Sequence, residues 1–385
     1  MHKEQVLFAL LRAAVCGQPV AEDVKAACTA EMLEKVYTLA NHHDLAHLAG
    51  QALSKLGLPE SESLAKCQMA AKQAIFRYMR LDLAYAQICD TLEKAEIPFI
   101  PLKGSVLRAW YPEAWMRTSC DIDILVRPEN LDRAVEALTA SLQFTRKGKG
   151  DHDVSLFSPG GVHLELHYET VVESDQVNQS SRVLEKIWDT ATPVKPGAYH
   201  SEMSDGMFYF YHIAHMAKHI TIGGCGIRPF LDLWVMRHRT MCAPDGQLLD
   251  EGGLTAFAQA AEALSEVWFS DTPAEPMTER LAQYILGGGV YGTMENNVAM
   301  QQQKQGGRLR YALSKIILPY ETIKFYYPLL QKHKWLTPVF QVVRWFKLLF
   351  KGGVRRSARQ LKLNASASRE DAQSAQSLLQ YLGLE

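Results

Sequence analysis

The chain has 385 residues, with 41 lysines and arginines against 42 aspartates and glutamates, a formal net charge of −1. That balance excludes a whole-molecule attraction to nucleic acid or an anionic membrane, so any such attraction has to be local. Nearly half of the residues are hydrophobic and the length suffices for two or three domains with cores of their own. Seven scattered cysteines without a C-x-x-C pair exclude a zinc ribbon and a disulfide framework, and point to a reducing compartment.

Residues 1–95 read as helix almost throughout, with apolar residues at three- and four-residue intervals and many Ala and Leu. The apolar run Val6 to Leu11 is preceded by Glu4 and broken by Arg12, which suits an amphipathic helix better than a signal peptide. The pattern then changes. "IPFIPL" (97–102) predicts a short strand, "SVLRAWY" a helical turn or two, and "DIDILV" (121–126) a strand. "ENLDRAVEALTASL" predicts a helix with acids in its first turn, and "DVSLFS" and "VHLELHYE" predict two strands joined by a turn at Pro159-Gly160-Gly161. From about residue 181 the reading is helical again, interrupted by glycine- and proline-containing breaks. The expectation is an α+β, predominantly helical protein: a helical N-terminal region (1–95), a core with a small mixed β-sheet (96–190) and a helical C-terminal region (191–385). The most apolar late segment, 335–350, contains Pro338, Arg344 and Lys347 and is too short and too charged to span a bilayer, so the protein is expected in the cytoplasm.

Two acids interrupt the strand "DIDILV". Asp121 and Asp123 are two residues apart and project from the same face, roughly 6–7 Å from one another. At an effective dielectric near 20, their repulsion is on the order of 2–3 kcal/mol. "VHLELHYE" alternates too, with His163, Glu165 and His167 on one face. If the two strands are neighbours, Glu165 joins the aspartates in a three-carboxylate cluster, which cations have to neutralise. Hard divalent cations such as Mg²⁺ (or Mn²⁺) suit oxygen ligands and complete their shell with water and substrate phosphates. Two such ions can clamp the attacking and leaving oxygens of a phosphoryl displacement. The other reading is a solvated strand edge. Upstream, Gly104-Ser105 lies at a strand-to-helix junction, where Gly104 would let the backbone approach a ligand and Ser105 would hold phosphate oxygens.

The combination resembles the DNA polymerase β-type nucleotidyltransferase superfamily, whose signature is a Gly-[Gly/Ser] turn, a strand with two acids in alternation and a third acid on a later strand. It is similar in particular to a poorly characterised bacterial nucleotidyltransferase family with the pattern LKG…R…DIDLLV…DLHW. The matching residues are Leu102-Lys103-Gly104, Arg117, residues 121–126 and Glu165-Leu166-His167. Lys103 stands where a hydrophobic residue is usual in the superfamily, and the third acid is Glu rather than Asp. The resemblance implies a polymerase β-type sheet and transfer of a nucleoside monophosphate from an NTP to an unidentified acceptor, releasing pyrophosphate. It implies that Asp121, Asp123 and Glu165 hold the metals, with Glu165 also placed to accept the acceptor's proton. Gly104 and Ser105 would bind the triphosphate. Replacing Asp123 by Asn should then abolish transfer and leave metal-free stability unchanged or higher, because repulsion is relieved. The rival reading is a catalytically silent nucleotide-binding or scaffold protein associated with polysaccharide assembly.

Other residues carry two readings each. Arg117 and Lys103 either contact phosphate or serve, respectively, as a salt bridge to a nearby acid and a solvated loop charge. His167 either orients Glu165 or touches substrate, or is structural. His212, His215 and His219 share a helix face with Lys218 alongside, as a zinc site, a polar face, or a nucleotide contact through His215, Lys218 and His219. Arg228 and Asp232, four apart, are expected to pair, with Arg228 on a phosphate as the second choice. "GGGVYG" (287–292) matches G-x-G-x-x-G, but a helix precedes it and none clearly begins after it, so it reads as a loop. Residues 322–369 hold eleven basic residues, from Lys324 to Arg369, and no acid, interleaved with Trp335, Phe340, Trp345, Phe346 and Phe350. They form a packed helical subdomain, a peripheral contact to the inner membrane surface, or a nucleic-acid surface.

Overall fold

The computed structural model describes the chain except residues 151, 171–178, 241, 291, 305–306, 328, 351–362, 364–368 and 385. Helices α1 (Lys3–Leu11), α2 (Glu22–Ala27), α3 (Ala30–His42), α4 (Ala46–Leu53) and α5 (Glu62–Lys94) come first. The central part runs β1 (Phe99–Pro101), α6 (Gly104–Leu107), β2 (Asp121–Val126), α7 (Leu131–Leu142), β3 (Thr145–Lys149), β4 (Asp153–Phe157) and β5 (His163–His167). Then follow α8 (Gln179–Leu184), α9 (Ile187–Thr190), and the two-residue strands β6 (Thr192–Pro193) and β7 (Ser201–Glu202). The rest is helical: α10 (Asp205–Thr221), α11 (Arg228–Arg239), α12 (Gly246–Glu251), α13 (Thr255–Phe269), α14 (Pro276–Gly288), α15 (Met294–Lys304), α16 (Arg308–Ile316), α17 (Tyr320–Tyr326), α18 (Leu329–Lys332), α19 (Thr337–Phe350) and α20 (Arg369–Leu382). The protein is predominantly helical α+β, as its sequence pattern predicts.

The five-stranded sheet has the order β1-β2-β5-β4-β3 and is mixed: β2 and β5 run parallel, and every other pair is antiparallel. Strand alternation divides it into two faces. Ile122, Ile124 and Val126 of β2 and Leu164 and Leu166 of β5 pack with Leu81, Ile88 and Leu92 of α5 and with Leu131, Ala134 and Leu138 of α7. The opposite face of β2 carries Asp121, Asp123 and Leu125, the last of which belongs to the larger core cluster. That cluster joins Val6, Leu7 and Leu10 of α1 to helices α10, α11 and α13, and to Leu378, Leu379 and Leu382 of α20. The acids therefore sit where the sheet meets the C-terminal helices.

Strand β3 is not foreshadowed by the pattern, because "TRKGK" has no apolar alternation. It needs none: it pairs on one side only, as the sheet's edge, where lysines hinder further pairing. The β4–β5 turn is as expected, with Gly161 at φ +76°. The sequence suggests no helix after "GGGVYG", yet α15 begins at Met294, and Gly287 and Gly288 belong to the end of α14. Gly292 is required by close approach, since a Cβ there would lie 1.8 Å from the Gly223 carbonyl oxygen. No strand leads into this segment, so its role is packing.

Candidate active site

The parallel register of β2 and β5 sets Asp121 opposite His163, Asp123 opposite Glu165 and Leu125 opposite His167. Period-two alternation then brings His163, Glu165 and His167 to the face that carries the two aspartates. One ligand atom from each of Asp121, His163 and Glu165 lies within 4.8 Å of the others, and the same holds for Asp123, Glu165 and His167. Glu165 is common to both sets. His167 Nε2 is 3.0 Å from Asp123 Oδ1 and 3.6 Å from Glu165 Oε2.

The electrostatics differ among the three carboxylates. Asp121 is pushed up by burial and by the charges of Asp123 and Glu165. Burial pushes Asp123 the same way, but Lys103, 3.7 Å away, and the hydrogen bond from His167 hold it well below the usual carboxylate range. The nearby His167 ring, 3.6 Å away, also lowers Glu165. Burial works against the charged form of His167, and the hydrogen bond to Asp123 together with the neighbouring Glu165 carboxylate outweighs it, so its pKa is raised. Lys103 is neither a solvated loop charge nor far from the acids. It lies among them, and its charge acts also on Tyr211 of α10, whose hydroxyl burial pushes up to about 12.

The strand-to-helix turn departs from the sequence reading in one respect. Gly104 is expected to let the backbone approach a ligand, and the residue in an unusual backbone conformation is its neighbour Lys103, at φ 39° and ψ −111°. A Cβ on Gly104 would meet Ser119 and Arg117 only at ordinary contact distance. Holding a non-glycine residue there costs about 1–3 kcal/mol, and strain of that kind clusters at ligand clamps. The backbone N–H of Ser105 donates to Leu102, while its hydroxyl is buried without a hydrogen-bond partner among the described residues. Arg108 braces the turn from behind, donating to the Gly104 carbonyl (2.9 Å) and to Ser119 Oγ (3.1 Å).

Arg117 belongs to a different network. Its Nε donates to Asp232 Oδ1 at 2.7 Å, and Tyr111 donates to the same oxygen at 2.7 Å. The expected Arg228–Asp232 pair is not formed: Asp232 is taken by Arg117, and Arg228 pairs with Asp44 instead. Asp44 also accepts from the Thr118 hydroxyl at 3.2 Å. Asp232 directly, and Arg228 through Asp44, thus hold the segment 111–118 to α11, and that segment leads into β2. Asp44 was invisible to sequence reasoning because its partners lie 74 and 184 residues away.

Of the α10 histidines, His215 and His219 face each other, Nε2 to Nε2 3.1 Å, while His212 bonds to the Pro229 carbonyl. Among the described residues the three form no shared ligand set. Burial and the charge of Lys103 depress both His215 and His219, the latter to about 4. Those two rings therefore lie within electrostatic reach of Lys103, whereas Lys218 is exposed. A model of an uncharacterised nucleotidyltransferase family matches residues 29–270, more than half of the chain, and the chain belongs to that family. No curated protein and no solved structure matches it.

Proposed function

From that membership, we propose that the protein transfers a nucleoside monophosphate from an NTP to an acceptor hydroxyl at the β2–β5 face. The supporting observation is that Glu165 stands in two donor sets, one with each aspartate, beside Lys103 and the Gly104-Ser105 turn. The donor chemistry fits divalent cations: three carboxylates on one face, flanked by imidazoles. Asp121, Asp123 and Glu165 would hold the ions, which supply charge neutralisation at the reacting phosphate and its leaving group.

The acceptor oxygen attacks the α-phosphorus, the bond from that phosphorus to the bridging oxygen breaks, and pyrophosphate leaves. The acceptor's proton goes to Glu165, whose side chain is 30% exposed against 7% for Asp123 and so is the more accessible of the two. Lys103 compensates Asp123 in the resting protein, and its flexible stem allows it to turn to the triphosphate. Ser105 supplies a hydroxyl with no other partner among the described residues, and the Gly104 backbone lies beside it. His215 and His219 face nucleotide from α10, and Lys218 and Arg228 would act only at longer range, since Arg228 is committed to Asp44.

The test is incubation with each α-³²P- or γ-³²P-labelled NTP, Mg²⁺ or Mn²⁺ and cell extract, with Glu165→Gln as control. Label moving from the α position alone, lost in the variant, is the expected result. Transfer from the γ position would mean phosphorylation instead, and no transfer with any NTP would favour the silent scaffold.

A peripheral membrane contact is a separate part of the reading, favoured by α19. Phe340 and Val343 pack inward against Ile323, Tyr327 and Leu330. On the other side Val339, Val342 and Phe346 are 53, 54 and 57% exposed, and Trp335, in the turn before the helix, is 76% exposed. An apolar stripe within a stretch whose charge is all basic suits the interface of an anionic bilayer. Among the described residues no helix is long and apolar enough to cross one. Lys351, Arg355, Arg356, Arg359 and Lys362 of the same stretch lie outside the described residues.

A further inference from the structure

The chemistry above requires carboxylates, yet the β5 face offers two imidazoles as well. His163 and His167 flank Glu165 on the same side of the strand, and each completes one of the two donor sets with Glu165 and a different aspartate. His167 points its Nε2 between Asp123 and Glu165, with separations of 3.0 and 3.6 Å. The His163 ring is stacked on Phe157, centroids 4.5 Å apart and planes 11° apart, and its Nε2 lies 3.2 Å from Ser155 Oγ. A ring clamped on one face and hydrogen-bonded through one nitrogen is oriented as metal-binding histidines are.

We propose that Glu165 bridges two cation positions, Asp121/His163/Glu165 and Asp123/Glu165/His167, and that the two histidine nitrogens make the centre selective for a first-row transition ion over Mg²⁺. This rests on the reading of these acids as the divalent centre and extends its ligand set. Mg²⁺ takes oxygen ligands almost exclusively and gives up water reluctantly. Mn²⁺, Fe²⁺ and Co²⁺ accept mixed nitrogen and oxygen sets, with affinity rising along that series. One imidazole and two carboxylates per position leave coordination sites for water and phosphate. In this arrangement a histidine decides which ion is held, and the aspartates decide that one is held.

Mn²⁺ is the probe. The full-length, metal-stripped protein is titrated with Mn²⁺ and followed by electron paramagnetic resonance, with Mg²⁺ as competitor, and pulsed spectra are recorded for coupling to ¹⁴N. The expected result is two bound Mn²⁺ per chain, a preference over Mg²⁺ of at least about tenfold, and a ¹⁴N coupling. His163→Gln and His167→Gln, each supplying oxygen or amide in place of imidazole, should each weaken Mn²⁺ binding by about tenfold or more and reduce the coupling. Should His167→Gln fail to fold, the half-buried His163 and the wild-type spectrum still decide. Bound Mn²⁺ without nitrogen coupling, or an unchanged preference in His163→Gln, would overturn the inference. Mg²⁺-supported transfer from the α-phosphate in that case would leave the proposed function standing, whereas absence of both metal binding and transfer would remove the two together.

Discussion

Arg117 and Asp232 form a buried ion pair, Nε to Oδ1 2.7 Å, that ties the segment before the acid-bearing strand to helix α11. Neither side chain is more than 11% exposed, and Tyr111 shares the same carboxylate oxygen. Removing one partner of such a pair leaves an uncompensated charge inside the protein and typically costs about 3–5 kcal/mol. Asp232→Ala should therefore lower the unfolding free energy by that amount, read as a lower urea midpoint at unchanged slope, while Arg228→Ala, whose partner Asp44 is 40% exposed, should cost much less. Equal, small effects would mean that segment 111–118 is held by other contacts.

Asp123→Asn should abolish transfer, but the stability expectation drawn from sequence has to be reversed. Repulsion between Asp121 and Asp123 is real, yet Asp123 is held by Lys103 and His167, and amidation leaves Lys103 without its partner. A loss of about 1–3 kcal/mol is expected without metal, discounted for the partial exposure of Lys103. The sign follows from the depressed pKa. The folded protein holds Asp123 ionised where the unfolded chain, near pH 4, begins to protonate it, so this contribution is present above that pH and is lost as pH falls further. The difference between wild type and Asp123→Asn in denaturant midpoint should accordingly shrink below about pH 4.

How far this site was legible in the chain depends on the range of each signal. Asp121, Asp123 and Glu165 could be placed on common faces because strand alternation is local. That β5 lies parallel to β2, and not beside β1, is a long-range choice, and it alone sets Asp123 opposite Glu165 and His163 opposite Asp121. The importance of His163 and His167 follows from that register. Spacing of four suggested Arg228 with Asp232, but both look outward from α11 to different loops, one of them 184 residues earlier. Strand β3 stayed hidden because an edge strand buries little and so carries no apolar pattern.

Acid should destabilise the helical N-terminal region through His43 and His47, each pushed down to about 4 by burial. His47 bonds to the Met116 carbonyl among the charges of Asp44, Arg228 and Arg77, and His43 bonds to the Leu286 carbonyl beside His42. In the unfolded chain both titrate near 6.5, so between there and about 4 the unfolded state binds more protons and stability rises with pH. The contribution is intact above about pH 6.5 and is lost progressively below it, by up to about 3 kcal/mol per histidine. Urea midpoints from pH 7.5 to 4.5 should fall, and His47→Gln should flatten the slope. A pH-independent midpoint would show that these rings are hydrated.

The outer face of α19, with the turn 334–336 before it, gives the last prediction. Interfacial binding combines buried apolar area with attraction of basic residues to anionic lipid. Trp335 and Phe346 offer the apolar part, and Lys332, Lys334 and Lys347 lie on the same described segment. Each lysine near the surface contributes about 1 kcal/mol, and the attraction is screened over a Debye length of about 8 Å at physiological ionic strength. Wild-type protein should co-sediment with vesicles containing phosphatidylserine and release at high salt, and should bind neutral vesicles weakly. Trp335→Ser with Phe346→Ser should weaken sedimentation by tenfold or more without changing the melting temperature, because neither residue packs inward. Undiminished binding by that double variant would assign the contact elsewhere, and salt-sensitive binding to RNA with none to vesicles would make the basic stretch a nucleic-acid surface.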